Sequence, residues 1–238
     1  MFLGKALNLI TVVTDGHSNK GEDPVGAAYS ARKTGIIVNV VGILDHGCLG
    51  EKGRNEVKQI ADAGGGTYQF ITTDELTYTV QTLTIHAVRH QAETLVNRDL
   101  RRLTGKGLLN LPPVKRADYI PVLDRLEDET PVNLMLLIDV SGSMSRKKDM
   151  LEYSIRDLLI SLAGRKGPVR LGIIQFPGRK TEACLLKSPD TNNFFTAAIL
   201  KTISYGGLTP TGPAINMAAK SLTRDMTGAG YKKKRDII

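Results

Sequence analysis

An aspartate and two serines are grouped directly after one of the most apolar segments of the chain. The segment Asp139-Val140-Ser141-Gly142-Ser143 places one carboxylate and two hydroxyls in a short stretch. These side chains offer hard oxygen atoms, which suit Mg²⁺, Mn²⁺ or Ca²⁺. We expect Gly142 to ease a tight turn between the serines. The motif predicts a divalent-cation site, although by itself it also fits a loop that caps a helix.

Two other segments carry oxygen atoms in comparable positions. Thr14-Asp15-Gly16 closes the first apolar segment, so Asp15 is expected at a strand end beside a glycine turn. A glycine-bounded loop at residues 206–213 precedes a predicted helix and contains Thr209 and Thr211. Either hydroxyl could serve an ion, and Thr211 could instead cap the helix.

The apolar pattern predicts the elements that must position these residues. Near-continuous segments rich in Val, Ile and Leu are typical of strands in a parallel sheet that is covered by helices on both faces. We predict such strands at Leu7–Thr14, Ile36–Ile43, 133–140 and Val169–Phe176, with weaker candidates at 67–71 and, as an edge strand, at 182–187. Predicted helices lie at Pro24–Lys33, 56–63, 74–103 (with a break), Lys148–Ala163 and 213–223. This alternation predicts an α/β doubly wound fold with a mostly parallel sheet.

The chain is divided by a segment of different composition. Residues 104–130 are rich in Gly, Pro and charged side chains, which indicates a linker with short helices. The linker separates residues 1–103 from residues 131–238, and each block alone has too few strands for a stable parallel sheet. We therefore predict that the two blocks form one domain. The shared sheet could close within one chain, as a monomer, or between two chains, as an exchanged dimer.

The three oxygen-bearing segments together resemble the metal-ion-dependent adhesion site of von Willebrand factor A domains. In that family Asp-x-Ser-x-Ser comes first, the threonine loop second and Thr-Asp-Gly last, whereas here Thr-Asp-Gly comes first. The chain thus resembles a circularly permuted domain, in which residues 1–90 correspond to the second half and residues 131–223 to the first half. The YabS-like proteins of spore-forming Firmicutes are similar in this reversed order.

The resemblance implies a Rossmann-like fold and one metal site, formed by Asp139, Ser141, Ser143, Thr209 and Asp15. Both serines would bind the ion directly, Thr209 directly or through water, and the two aspartates mainly through water and hydrogen bonds to the serines. The ion would be Mg²⁺, or Mn²⁺ or Ca²⁺ in its place, and an acidic residue of a partner protein would complete its coordination. Thr211 would cap the following helix. The resemblance implies a binding module with no catalytic residues.

Two other functions are compatible with the sequence. Asp139 could be the nucleophile of a Mg²⁺-dependent phosphatase, but that chemistry usually needs a second carboxylate where Ser141 stands. A net charge of +8 and the basic residues 232–235 could support binding to nucleic acid. The chain has no Trp, and its 5 Phe and 7 Tyr form no evident stacking platform for single strands.

The remaining features predict ordinary structural roles. His86 and His90 could bind zinc from one helix face, but a surface or packed pair is the simpler interpretation. Gly64-Gly65-Gly66 is expected to form a loop between a helix and a strand. Cys48 and Cys184 are expected to be free thiols in a reducing compartment. Without a long apolar run or a signal pattern, we expect a cytoplasmic protein with no membrane span.

Overall fold

The computed structural model describes residues 6–44, 50–72, 75–190 and 203–226. The strands are β1 (Leu7–Thr14), β2 (Ile36–Ile43), β3 (Gly65–Ile71), β4 (Val132–Asp139), β5 (Val169–Phe176) and β6 (Cys184–Asp190). The α-helices are α1 (Pro24–Lys33), α2 (Glu51–Gly64), α3 (Leu76–Thr104), α4 (Pro113–Ala117), α5 (Ile120–Glu129), α6 (Lys148–Ala163) and α7 (Thr211–Met226). Short 3₁₀ helices span Leu108–Asn110 and Gly142–Lys147.

All six strands belong to one sheet, in the order β3-β2-β1-β4-β5-β6. The pairs are parallel except for β5 with β6, which is antiparallel. The seam between the two blocks is the pairing of β1 with β4, which runs in register from Leu7 opposite Val132 to Val13 opposite Ile138. The prediction of an α/β fold with a mostly parallel sheet and one antiparallel edge strand is confirmed.

Each face of the sheet is covered by a separate apolar core. On one face, β-strand side chains such as Leu9, Leu134 and Ile173 pack against α3 and α6. On the other face, side chains such as Ile10, Met135 and Ile174 pack against α1, α2 and α7. The central strand β4 is buried along its whole length, which explains its continuous apolar sequence.

The segment with three glycines differs from the prediction. Helix α2 continues to Gly64 and β3 begins at Gly65, so the two elements follow each other without the expected loop. Gly65 adopts the left-handed conformation at φ 66°, which ends the helix and redirects the chain at once. A side chain at Gly66 would place its Cβ 2.2 Å from the backbone oxygen of Val38, so β3 packs too closely for a larger residue.

The other differences lie at the ends of strands and helices; for example, β6 spans Cys184–Asp190 rather than residues 182–187. Helix α2 begins at Glu51 rather than at residue 56, and α3 is continuous, without the predicted break. Helix α7 begins at Thr211, so the prediction that Thr211 caps a helix starting at Pro213 is wrong. Pro213 is accommodated because amides in the first turn of a helix have no partner within it.

The predicted linker contains the 3₁₀ helix Leu108–Asn110 and the helices α4 and α5. Leu123 and Leu126 of α5 form a small apolar cluster with Val96 and Leu100 of α3. The linker is therefore fixed against the long helix that precedes it. None of the helices in the described ranges is both long and apolar enough to cross a membrane.

Candidate metal centre

The three predicted segments lie at the end of the sheet where the strand order reverses. From the central pair, β2 and β3 extend to one side of β1, and β5 and β6 extend to the other side of β4. Asp139 is the last residue of β4, and Asp15 directly follows β1. Open α/β sheets bind ligands beyond the carboxyl ends of their strands at such a switch point.

Asp139 forms the buried floor of the site. Its side chain is inaccessible to solvent, Oδ2 accepts a hydrogen bond from Thr14 Oγ1 at 2.6 Å, and Oδ1 accepts one from the Ser141 amide at 2.9 Å. Burial raises the pKa of Asp139 to about 6, although the bonds from Thr14 and Ser141 oppose this effect. Among the described residues, no cationic side chain is hydrogen-bonded to this carboxylate.

A chain of oxygen atoms joins the two halves of the sequence above this floor. Ser141 Oγ lies 3.2 Å from Ser143 Oγ, and Ser143 Oγ donates to Asp15 Oδ1 at 2.7 Å. Ser141 is buried, whereas Ser143 is exposed, so the site opens from Asp139 toward solvent. The structure therefore places Asp15 beside the serines, as the sequence predicted.

Asp15 is also paired with a cation that the sequence analysis missed. Lys147, at the end of the 3₁₀ helix Gly142–Lys147, forms a salt bridge through Nζ with Asp15 Oδ2. The Lys147 side chain is 4% exposed and the Asp15 side chain 1%. The two carboxylates of the site are thus unequal, because Asp15 is paired with Lys147, whereas Asp139 has no countercharge among the residues that the structure describes.

Thr209 lies at the same end of the sheet but is attached by its backbone. Its amide donates to Asn19 Oδ1 at 2.8 Å, and its carbonyl accepts from Ser18 Oγ at 3.1 Å. The start of its loop is tied to β4 by the Gly206 amide, which donates to the Val140 carbonyl at 2.8 Å. Thr209 is buried, and its hydroxyl makes no hydrogen bond to the serines or to other described residues.

The loop after β1, which bonds to Thr209 through Ser18 and Asn19, is itself positioned by Glu56 of α2. Glu56 Oε1 accepts a hydrogen bond from the Ser18 amide at 2.6 Å. Partial burial raises the pKa of Glu56, while the bond from Ser18 acts in the opposite direction. Sequence reasoning did not identify Glu56, since nothing in its local pattern separates it from other helix-surface glutamates.

The turn after Asp139 does not depend on glycine as we expected. Gly142 has no positive φ, and a Cβ added there would meet nothing within 4 Å. The turn is instead closed by hydrogen bonds, from the Ser141 amide to Asp139 Oδ1 and from the Met144 amide to the Ser141 carbonyl. The expectation about Gly142 is therefore wrong.

The donor set fits a hard divalent ion. The hydroxyls of Ser141 and Ser143 and the carboxylate of Asp15 form one hydrogen-bonded chain. The Asp139 carboxylate joins this chain through the Ser141 amide, and Thr209 lies on the adjoining loop. Ser141 and Ser143 would hold such an ion most directly, with Asp139 supplying the uncompensated negative charge beneath them. This arrangement can bind a cation and leave one side of it open to solvent.

The other candidate metal ligands receive no support. His86 and His90 are both exposed on α3. Within residues 6–44, 50–72, 75–190 and 203–226, no group of three or more His, Cys, Asp and Glu side chains is arranged to hold a metal. Cys184 is a half-buried free thiol. Cys48 and the basic residues 232–235 lie outside the described residues.

Comparisons with known proteins agree with this fold. Two family models described as von Willebrand factor type A domain match the chain, one over residues 134–238 and the other over residues 4–84. The chain is 36% identical over 214 residues to the uncharacterized protein YabS of Bacillus subtilis (strain 168). The matched region covers 89% of this chain and 87% of that protein. It also resembles the crystal structure of an uncharacterized protein from Alicyclobacillus acidocaldarius, at 37% identity and a TM-score of 0.88, over 94% of this chain and 97% of that one.

The order of these matches explains the order of the motifs. The segment with Asp139 and the threonine loop falls in one match, and the segment with Asp15 falls in the other, earlier match. The strands of both segments nevertheless form one continuous sheet. The chain therefore belongs to the von Willebrand factor type A domain family and carries the two halves of the domain in circularly permuted order.

Proposed function

We propose that this chain is a protein-binding module that uses a bound divalent cation, preferably Mg²⁺, to hold an acidic group of a partner protein. Domains of this family commonly act as adhesion or protein-interaction modules, and they often bind a divalent metal. The single observation that carries the proposal is the buried Asp139 carboxylate. It has no cationic partner within the described part of the chain, and it is bonded to the turn that holds the linked hydroxyls of Ser141 and Ser143.

The charge of the site supports an anionic partner. Asp139 and Asp15 contribute two negative charges when ionised, and Lys147 contributes one positive charge. A divalent ion would then leave the site with a net charge of about +1. Such a site attracts a carboxylate and offers it an ion held largely by neutral hydroxyl oxygens. Mg²⁺ retains water ligands readily, so a partner carboxylate has an exchangeable position to occupy.

The same geometry argues for binding rather than phosphoryl transfer. An aspartyl nucleophile needs an oxygen that a substrate can approach. Asp139 is inaccessible to solvent, and its two oxygens accept hydrogen bonds from Thr14 and Ser141. A phosphatase assay on the protein, with Asp139→Asn as the comparison, tests this point. Turnover by the wild type that the variant lacks would contradict the binding proposal.

Calorimetric titration with Mg²⁺ tests the metal site directly. We expect one ion per chain in the wild type and an affinity loss of about tenfold or more in Ser141→Ala, because a direct ligand is removed. Ser145→Ala is the matched control, since Ser145 lies in the 3₁₀ helix that follows Ser141 and donates to the Gly142 carbonyl. Equal Mg²⁺ affinity in all three proteins would refute the site.

A further inference from the structure

A basic groove lies beside the candidate metal centre and is not needed to hold the ion. It has a volume of about 630 Å³ and lies between the β5–β6 turn and the loop that carries Thr209. Lys20, Arg179, Lys180, Glu182, Leu208 and Pro177 are among its lining residues. One wall, the β5–β6 turn, follows β5, whose carboxyl end lies at the same edge of the sheet as those of β1 and β4.

The charged side chains of the groove come from two separate loops. Lys20 follows β1, and Arg179 and Lys180 belong to the turn after β5; all three are exposed. The loops are close, because a Cβ at Gly21 would lie 3.2 Å from Glu182 Oε1. Among the described residues that line the groove, three carry a positive charge and one, the half-buried Glu182, carries a negative charge. The excess of +2 gives the groove a preference for anions.

One loop contributes to both the groove and the surroundings of the metal centre. Residues 204–208 line the groove, and the same loop is anchored beside Asp139 by the bond from the Gly206 amide to the Val140 carbonyl. Thr209 follows at once and is held against the loop after β1 through Asn19. A peptide that placed one carboxylate on the ion would therefore lead its neighbouring residues along this wall.

The groove also offers apolar surface to the body of a peptide. Leu208 is 51% exposed at the rim, and Pro177 and Pro210 contribute to the lining. A surface with both basic and apolar groups suits an extended acidic peptide. The carboxylates of the peptide can pair with the basic side chains, while its CH₂ groups contact the apolar residues.

We propose that this groove binds the acidic residues that flank the ion-bound carboxylate in an extended acidic segment of a partner protein. The inference rests on the proposed function, and it names the partner chemistry as a cluster of acidic residues rather than a single one. The charge complementarity of Lys20, Arg179 and Lys180 carries it, together with the shared loop.

The test compares two fluorescent peptides in the presence of Mg²⁺, one of hexaglutamate and one with a single glutamate among alanine and serine. We expect Arg179→Glu/Lys180→Glu to weaken hexaglutamate binding by about tenfold or more, and to change binding of the single-glutamate peptide by no more than about threefold. The matched control is Arg102→Glu/Lys106→Glu, which reverses the same charges on exposed residues at the end of α3. We expect the control to leave the preference for hexaglutamate unchanged.

Failure of the groove and failure of the metal site give different results. If both double variants lost the same amount of hexaglutamate affinity, the proposed role of the groove would be refuted, because net charge alone would then explain binding. Calorimetry should give the same Mg²⁺ affinity for Arg179→Glu/Lys180→Glu as for the wild type, which separates the groove from the ion. Hexaglutamate binding that survives EDTA but is lost in that variant would retain the groove and refute ion-dependent capture. A short single-stranded DNA that outcompetes hexaglutamate for the groove would overturn the assignment to an acidic peptide.

Discussion

The buried pair formed by Lys147 and Asp15 makes a strong prediction about stability without metal. In Lys147→Met the apolar part of the side chain is kept and only the ammonium is lost. Asp15 is then left in a site where its side chain is 1% exposed. Removing one member of a buried ion pair costs about 3–5 kcal/mol, because the remaining charge is uncompensated. Asp15 keeps its hydrogen bond from Ser143 Oγ, so we expect a loss near the lower end, about 3 kcal/mol.

Mg²⁺ should reduce this loss, because the ion supplies a positive charge beside the same carboxylate. Free ion at about a hundred times its dissociation constant stabilises a native state by about 2.7 kcal/mol. Since Lys147→Met removes a competing cation from Asp15, the variant should bind Mg²⁺ more tightly than the wild type and gain more stability from it. Urea unfolding in EDTA and in saturating Mg²⁺ measures both effects.

Lys148→Met is the matched control, one residue further along the chain. Lys148 begins α6 and is only half-buried, so its replacement should change the free energy of unfolding by less than about 1 kcal/mol with or without the ion. If Lys147→Met were no less stable than Lys148→Met in EDTA, Lys147 would not be the countercharge of Asp15. An equal gain from Mg²⁺ in the two variants would refute competition between the lysine and the ion.

Two further substitutions test other parts of the site. The pKa of Asp139 is raised from 3.8 to about 6, so the native state holds its proton more tightly and Asp139 costs stability as pH rises through this window. In EDTA, Asp139→Asn should therefore gain up to about 3 kcal/mol over the wild type between pH 3.8 and 6, and a constant difference measured by urea unfolding would contradict this. Gly212→Ala would place a Cβ 2.1 Å from the Glu22 backbone oxygen and should destabilise by about 1–3 kcal/mol or more, whereas Gly142→Ala, with open space, should not.

The strands and the positions of the carboxylates could be predicted from the sequence because both follow from local patterns. A run such as Ile36–Ile43 is too apolar to be anything but buried, and β1, β2 and β5 match the prediction at both ends. An aspartate at the end of such a strand must lie at the edge of the sheet. Because β1 and β4 are parallel neighbours, their carboxyl ends lie side by side, and this places Asp15 near Asp139.

The residues that the sequence did not identify depend on tertiary contacts. Lys147 stands in a run of three basic residues, and only the fold determines that it is buried against Asp15 while Lys148 is not. The role of Glu56 similarly depends on the position of α2 beside the loop at Ser18. The start of α7 was misplaced for a different, local reason, because a proline in the first turn, such as Pro213, does not have to be the first helical residue.

The side-chain bonds at the base of the site connect residues that are far apart in the sequence. Thr14 bonds to Asp139 across 125 positions, Ser143 to Asp15 across 128, and Lys147 to Asp15 across 132. The site is therefore complete only where β1 is paired with β4. Because the ion would bind this closed arrangement and not the separated halves, its binding energy adds to the stability of the seam. Under the proposed function, recognition of a partner and closure of the domain would be coupled at one set of oxygen atoms.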